Sequence, residues 1–295
     1  MHKLCIVLIL VGCNAVEPII GPTSSTLPTT TSDIPGDTAI TQPTAPPAPT
    51  NIPFAAPKNS LWSEVGPIGF SFSLNTQWGQ AIEDTTAFRY GWKSQKFVVN
   101  PGECFGGDCY RTPVYERKEY GETHDAAATE GDEFWYGWSF YIPRESSQPA
   151  AFFGQFIQPP ADSSVGHDAI WMLRKQGVNP FCMIFDWVNH PSAFQHCESP
   201  NIPLISNSEF AGKWHDLVFH IVWSHDNTKG LTEVWVDGEL KGVYRGYTLT
   251  PNHIGVVVKY GIYRSAHSKQ TIAYYDEMRK GKTRREVDIR MLVSP

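Results

Sequence analysis

EFWYGWSFYI, residues 133–142, alternates with a period of two: Phe134, Tyr136, Trp138, Phe140 and Ile142 fall on one side, and smaller or more polar residues mostly on the other. Successive side chains of a strand point to opposite faces, so this stretch reads as a β-strand with one face turned to a core. LVFHIVWS (217–224) repeats the pattern with Leu217, Phe219, Ile221 and Trp223. In LTEVWVDGELKGVY (231–244), Asp237-Gly238 separates two β-prone runs, a strong short-range hairpin signal. AFFGQFIQ, AIWMLR, FCMIFDWV and TIAYYDEM are further short strands bounded by Pro, Gly and Asn clusters, and helical periodicity is almost absent. The expected fold is therefore all-β, a sandwich of two antiparallel sheets with a jelly roll as its commonest large form.

The 295 residues divide unevenly. All ten tryptophans lie between Trp62 and Trp235, whereas Glu17 to Lys58 holds ten prolines, nine threonines and a single aromatic residue, Phe54. Such a stretch buries too little apolar surface to offset its chain entropy, and it reads as an extended tether. The start, MHKLCIVLILVGC, has a positive residue, an apolar run too short to span a bilayer, and then Gly12-Cys13. Its end is similar to a bacterial lipobox, in which cleavage before the cysteine frees it for lipid attachment. The expected organisation is a lipoprotein signal peptide at 1–12, a tether at 13–58 and one folded domain at 59–295. The protein is then exported and anchored through lipid on Cys13 to a bacterial outer membrane or cell surface; an ordinary secretory signal is the alternative.

Export permits disulfides, and once Cys5 is cleaved off and Cys13 lipidated, four cysteines remain. Local pairing joins Cys104 to Cys109 around a tight Phe-Gly-Gly-Asp loop, and Cys182 to Cys197. A zinc site is the competing reading, although C-x4-C beside C-x14-C lacks the close ligand pairs usual for zinc. The net charge of -6 argues against a nucleic-acid partner.

VVVKYGIYRS (256–265) is an unusual strand, because Lys259, Gly261 and Tyr263 share one face and the glycine is expected to leave a hollow between a cation and a phenol. Together with ERKEYGE (116–122), EFWYGWSFYIP, GQFIQ (154–158), GKWHDLVFHIVWSHDNTKGLTEVWVDGE (212–239) and YYDEM (274–278), it resembles the jelly-roll polysaccharide lyases of concanavalin A-like fold. These include heparin lyase I, glucuronan lyases and, more distantly, alginate lyases. The likeness runs from about residue 60 in the family's order. In that family the active site lies on the concave face of one sheet and is built from R-x-E-L, Q-x-H and K-x-G-x-Y motifs. The first falls on Arg117 to Tyr120, the third on Lys259 to Tyr263, and the second on Gln155-Phe156-Ile157, where isoleucine replaces the histidine.

The resemblance implies β-elimination on an anionic, uronic-acid-containing polysaccharide. Removing the C5 proton builds charge on the neighbouring carboxylate, which fixed donors such as Gln155 and Arg117 must meet. A tyrosine beside a cation can act as base or acid, so Tyr263 is the expected catalytic group, Lys259 its electrostatic partner, and Gln155 a catalytic donor. Arg117, Glu119 and Arg264 are expected to bind substrate. With Ile157 in the histidine's place, Tyr263 is expected to work alone, its pKa held down by Lys259. One tyrosine serves substrates whose C5 proton and C4 oxygen lie on one side of the ring, glucuronate and mannuronate. His167 is the candidate for a replacement base.

Structural readings compete at every position. Lys259 and Tyr263 also suit an ordinary strand edge, and Arg117 with Glu119 also suits a surface ion pair. A carbohydrate-binding lipoprotein without activity would use the tryptophans. A glycoside hydrolase of similar fold would use paired carboxylates, which EVDIRM (286–291) superficially offers. The chemistry requires no metal, although a structural calcium near Asp276 is open. The protein is expected to be a monomer.

Overall fold

The computed structural model describes residues 70–72, 81–104, 106–122, 127–159, 168–177, 180–185, 202–250, 253 and 255–292. The expected signal peptide, Cys13, the tether, His167 and Cys197 lie outside the described residues. Within them the chain forms two antiparallel seven-stranded sheets. The first has the order β1 (Phe70–Phe72), β4 (Tyr115–Glu122), β13 (Val257–Ser265), β6 (Ala151–Gln158), β7 (Asp168–Lys175), β8 (Phe181–Phe185), β9 (Ile202–Ile205). The second runs β12 (Glu239–Arg245), β11 (Leu231–Val236), β10 (Trp214–Val222), β5 (Glu133–Tyr141), β14 (Thr271–Gly281), β3 (Ser94–Val99), β2 (Ile82–Asp84). Neighbours distant in sequence, such as β4 beside β13 and β5 beside β14, make this the expected jelly roll.

The alternation read from 133–142 is what positions the sheets. Phe134, Tyr136, Trp138, Phe140 and Ile142 are buried with Leu217, Phe219, Ile221 and Trp223 in one cluster, which Tyr120, Phe153, Phe156, Tyr260 and Ile262 enter from the facing sheet. Each such side chain contributes about 1.5–3 kcal/mol of transfer free energy. The polar ends are satisfied inside: the Trp223 indole donates to the Tyr136 hydroxyl at 3.0 Å. Asp237 and Gly238, at φ 53° and 89°, form the left-handed turn between β11 and β12 that Asp-Gly predicts.

Charged residues also enter the interior, which the hydrophobic pattern does not announce. Lys280 of β14 reaches across the sandwich to Glu122 of β4 at 2.7 Å, with both side chains no more than 3% exposed. Glu122 also accepts the Val258 backbone N–H, linking β4 to β13.

Cys104 and Cys109 are joined as expected, around a short 3-10 helix at Gly106–Tyr110. Cys182 is also disulfide-bonded. Asp276 is enclosed, and its oxygens accept the backbone N–H groups of Arg89 at 2.7 Å, Tyr90 at 3.3 Å and Glu277 at 2.8 Å. Burial and Glu277 push its carboxyl up to about 8. Oxygens so committed do not fit a calcium ligand, and among the described residues no group of three His, Cys, Asp or Glu side chains could hold a metal ion. The E-x-D pattern falls in the short helix α1 (Arg284–Val287) and just after it. Glu286 accepts the Lys282 and Thr283 backbone N–H groups at 2.6 and 2.9 Å, and Asp288 pairs with Arg284 at 2.9 Å. Those carboxylates hold a turn together, which removes them as a hydrolytic pair.

Candidate active site

β13 lies between β4 and β6. Its Tyr260 and Ile262 point into the core, so Lys259 and Tyr263 stand on the face of the first sheet turned away from the second. Tyr263 lies opposite Arg117 of β4 and Phe152 of β6, Lys259 opposite Gln155, and Gly261 opposite Glu119. Three adjacent strands thus bring together Tyr263, Lys259, Gln155, Arg117 and Glu119.

Hydrogen bonds connect the floor. The Gln155 amide donates to Glu119 at 2.6 Å, and the other Glu119 oxygen lies 3.5 Å from the Arg117 guanidinium. The fork of Arg117, its Nε and Nη2, donates to both oxygens of Asp108 at 2.7 and 2.8 Å. The guanidinium carbon stands 3.7 Å from the centre of the Tyr263 ring. Tyr115 and Phe152 flank that ring with centroids at 5.1 and 5.7 Å. Asp108, Glu119 and Gln155 are buried, and Tyr263 keeps 9% exposure.

This geometry corrects three expectations. First, the cation beside Tyr263 is Arg117. Lys259 lies four residues along the strand, about 13 Å at 3.3 Å per residue. The charges acting most on the phenol are those of Arg117, Asp108, Arg111 and Glu119. Its pKa is not held down: burial pushes it up to about 12, with Arg117 opposing. Second, Gly261 does more than leave a hollow. At φ 130° it sits in a bulge, where an ideal Cβ would overlap the Lys118 carbonyl oxygen and lie 2.9 Å from the Glu119 Cα. Third, Arg264 does not share the site's face. It is fully buried on the opposite side of β13, donating to Glu116 at 2.9 Å and to the Lys269 carbonyl at 2.7 Å. Its neighbour Tyr263 takes the outward position, so strand alternation turns Arg264 inward.

Lys259 is half-buried, and its ammonium makes no hydrogen bond or ion pair with any described residue. Burial lowers its pKa, opposed by Glu119. The site therefore carries two cations of different kinds: Arg117, whose fork is already occupied, and Lys259, whose three donors have no partner among the described residues. Ile157, in the position of the motif's histidine, is 8% exposed beside these residues. The described histidines are held elsewhere: His215 by Asp237, His220 by Glu133 and Glu233, His225 near Glu130, His253 by Thr250, and His267 by Lys269. Asp108 and the ring walls Tyr115 and Phe152 escaped the sequence reading. Asp108 had one visible signal, an acid next to a cysteine in a loop closed on itself.

A family model described as "Polysaccharide lyase" matches residues 60–279. No curated protein matches the sequence. Among solved structures, an endo-beta-1,4-glucuronan lyase from the fungus Trichoderma reesei superposes with a TM-score of 0.59 at 20% identity, over 78% of this chain and 98% of that one. An alginate lyase from Chlorella virus gives a TM-score of 0.45 at 12% identity, over 69% and 90% of the two chains. An alginate lyase mutant in complex with an alginate trisaccharide gives 0.48 at 10%, over 78% and 100%. The first of these shows a shared fold.

Proposed function

Because the chain belongs to the polysaccharide lyase family and is a polysaccharide lyase, we propose that it cleaves a glucuronate- or mannuronate-rich uronan by β-elimination, with Tyr263 moving the proton. The observation that carries this reading is the Arg117 guanidinium lying 3.7 Å from the Tyr263 ring, on a face shared with Gln155 and Lys259.

In the reaction the C5–H bond breaks, its electrons form the C4–C5 double bond, and the C4–O bond breaks with its electrons left on the departing oxygen. The developing charge resides on the uronate carboxylate. Lys259, whose donors have no partner among the described residues, is the group to meet that carboxylate; Gln155 adds the second N–H of an amide whose first is spent on Glu119. Arg117 has its fork on Asp108 and acts on Tyr263, favouring a phenolate that takes the C5 proton; the phenol then returns a proton to the leaving oxygen. Lys259→Met is expected to weaken both substrate binding and turnover, by about 10- to 100-fold in kcat/KM. An unchanged kcat/KM would move the carboxylate contact elsewhere.

The substrate class follows from Ile157. Isoleucine in the histidine's position supports one tyrosine serving both proton transfers, which suits a C5 proton and C4 oxygen on the same side of the sugar; His167, outside the described residues, is the candidate for a second group. Offered glucuronan, polymannuronate and polyguluronate, the protein is expected to raise ultraviolet absorbance from unsaturated uronate on the first two and far more slowly on the third. A preference for polyguluronate would mean that a second catalytic group exists. New reducing ends without that absorbance would mean hydrolysis and end the β-elimination reading. Lipid on Cys13 would hold this activity at a membrane surface.

A further inference from the structure

We propose that Asp108 is a positioning residue for this reaction, held by the Cys104–Cys109 disulfide loop so that it fixes the Arg117 guanidinium against the Tyr263 ring. The inference rests on the assignment of Tyr263 as the proton-transferring group.

Arginine is a long side chain with several rotatable bonds, and within β4 its guanidinium has only the longer 3.5 Å contact with Glu119 to direct it. Asp108 supplies that constraint. Its two oxygens take both N–H bonds of the fork, at 2.7 and 2.8 Å, a bidentate geometry that sets the guanidinium plane as well as its distance. Asp108 is 4% exposed, so water competes little for the pair. The 3-10 helix Gly106–Tyr110 that carries it is closed by the disulfide at the next residue, Cys109. The covalent link, the short helix, the carboxylate, the guanidinium and the catalytic ring form one continuous chain of contacts. Ordering that is complete before substrate arrives need not be supplied at the moment of reaction.

Asp108 also carries a cost. Its negative charge opposes Arg117 and disfavours the phenolate, as Glu119 does, while Arg111 from the same loop favours it. The other charged groups on this face, Lys259 on β13 and Arg174 of β7 over the Phe152 ring at 5.6 Å, remain in all the variants below. Geometry and charge therefore pull in opposite directions at Asp108, and two substitutions separate them. Asp108→Ala removes the clamp and is expected to lower kcat by a factor on the order of 10². Asp108→Asn keeps a carbonyl acceptor and drops the charge. It is expected to retain much more of kcat than the alanine variant and to shift the rise of kcat with pH toward lower pH, a change that loop stability alone would not produce. Cys104→Ala/Cys109→Ala is expected to lower kcat in the direction of Asp108→Ala.

The experiment measures kcat, KM, the pH–rate curve and thermal unfolding of these variants of the full chain beside Tyr263→Phe. If Tyr263→Phe is inactive while Asp108→Ala folds and keeps kcat within twofold of wild type, the positioning role is wrong and the catalytic reading stands. If Tyr263→Phe stays active, the catalytic reading itself is wrong. Should Asp108→Ala fail to fold, the asparagine pH–rate curve decides: an unshifted curve overturns the proposal. Undiminished kcat in the double cysteine variant would remove the disulfide from it.

Discussion

Tyr263→Phe is expected to lower turnover by a factor on the order of 10²–10⁴ while leaving the fold intact. The phenol oxygen makes no hydrogen bond to any described residue, so its removal orphans no buried partner. The ring, which does the packing, remains against Arg117 at 3.7 Å and between Tyr115 and Phe152. Thermal unfolding should therefore move little, and KM should change less than kcat. In the wild type the phenol, pushed up to about 12, is protonated near neutrality, so a phenolate base is scarce there. Turnover should rise by close to tenfold per pH unit, roughly, while that remains the limiting group, and the phenylalanine variant should lose this dependence. Initial rates of unsaturated-uronate formation from pH 6 to 9 check both statements. A phenylalanine variant within tenfold of wild type would return Tyr263 to a purely structural role.

Arg264→Ala should act on stability rather than on substrate. The guanidinium is fully buried and shares a 2.6 Å ion pair with Glu116, itself 2% exposed. Removing one partner of a buried pair leaves the other charge without compensation and costs about 3–5 kcal/mol. Glu116 also accepts the Gly102 backbone N–H at 2.6 Å, so the loss would reach the segment that leads into the disulfide loop. Denaturant titration should show a midpoint lowered without a matching change in KM in the protein that remains folded. Normal stability with a raised KM would show that this arginine reaches substrate after all.

The central strands of the second sheet were legible because their apolar residues alternate so consistently from Glu133 to Ile142 and from Leu217 to Trp223. The same alternation correctly put Lys259 and Tyr263 on one face. Carried one residue further it also excludes Arg264 from that face, and the expectation that Arg264 binds substrate ignored it. Strand neighbours were another matter. β4, β13 and β6 lie far apart in sequence, and only the family motifs brought them together in the reading. Which cation reaches Tyr263 depends on the register between β13 and β4, which sets Tyr263 opposite Arg117, and counting by twos within one strand does not reveal the register between two. Asp108 was the least legible residue, since its role depends on a loop folding back onto a strand that begins seven residues later.

The order of residues in β13 also bears on how this enzyme can change over generations. Lys259, Gly261 and Tyr263 lie on the outer face while Tyr260 and Ile262 serve the core, so under the proposed mechanism chemistry and folding are interleaved one residue at a time along a single strand. A slip of one residue would turn Tyr263 inward and the packing Tyr260 outward, disturbing the outer face and the core together. Even the glycine between them admits no side chain. Variation in specificity has little room along this strand. The loops that border it are where mutation can explore new sugars without first dismantling the enzyme.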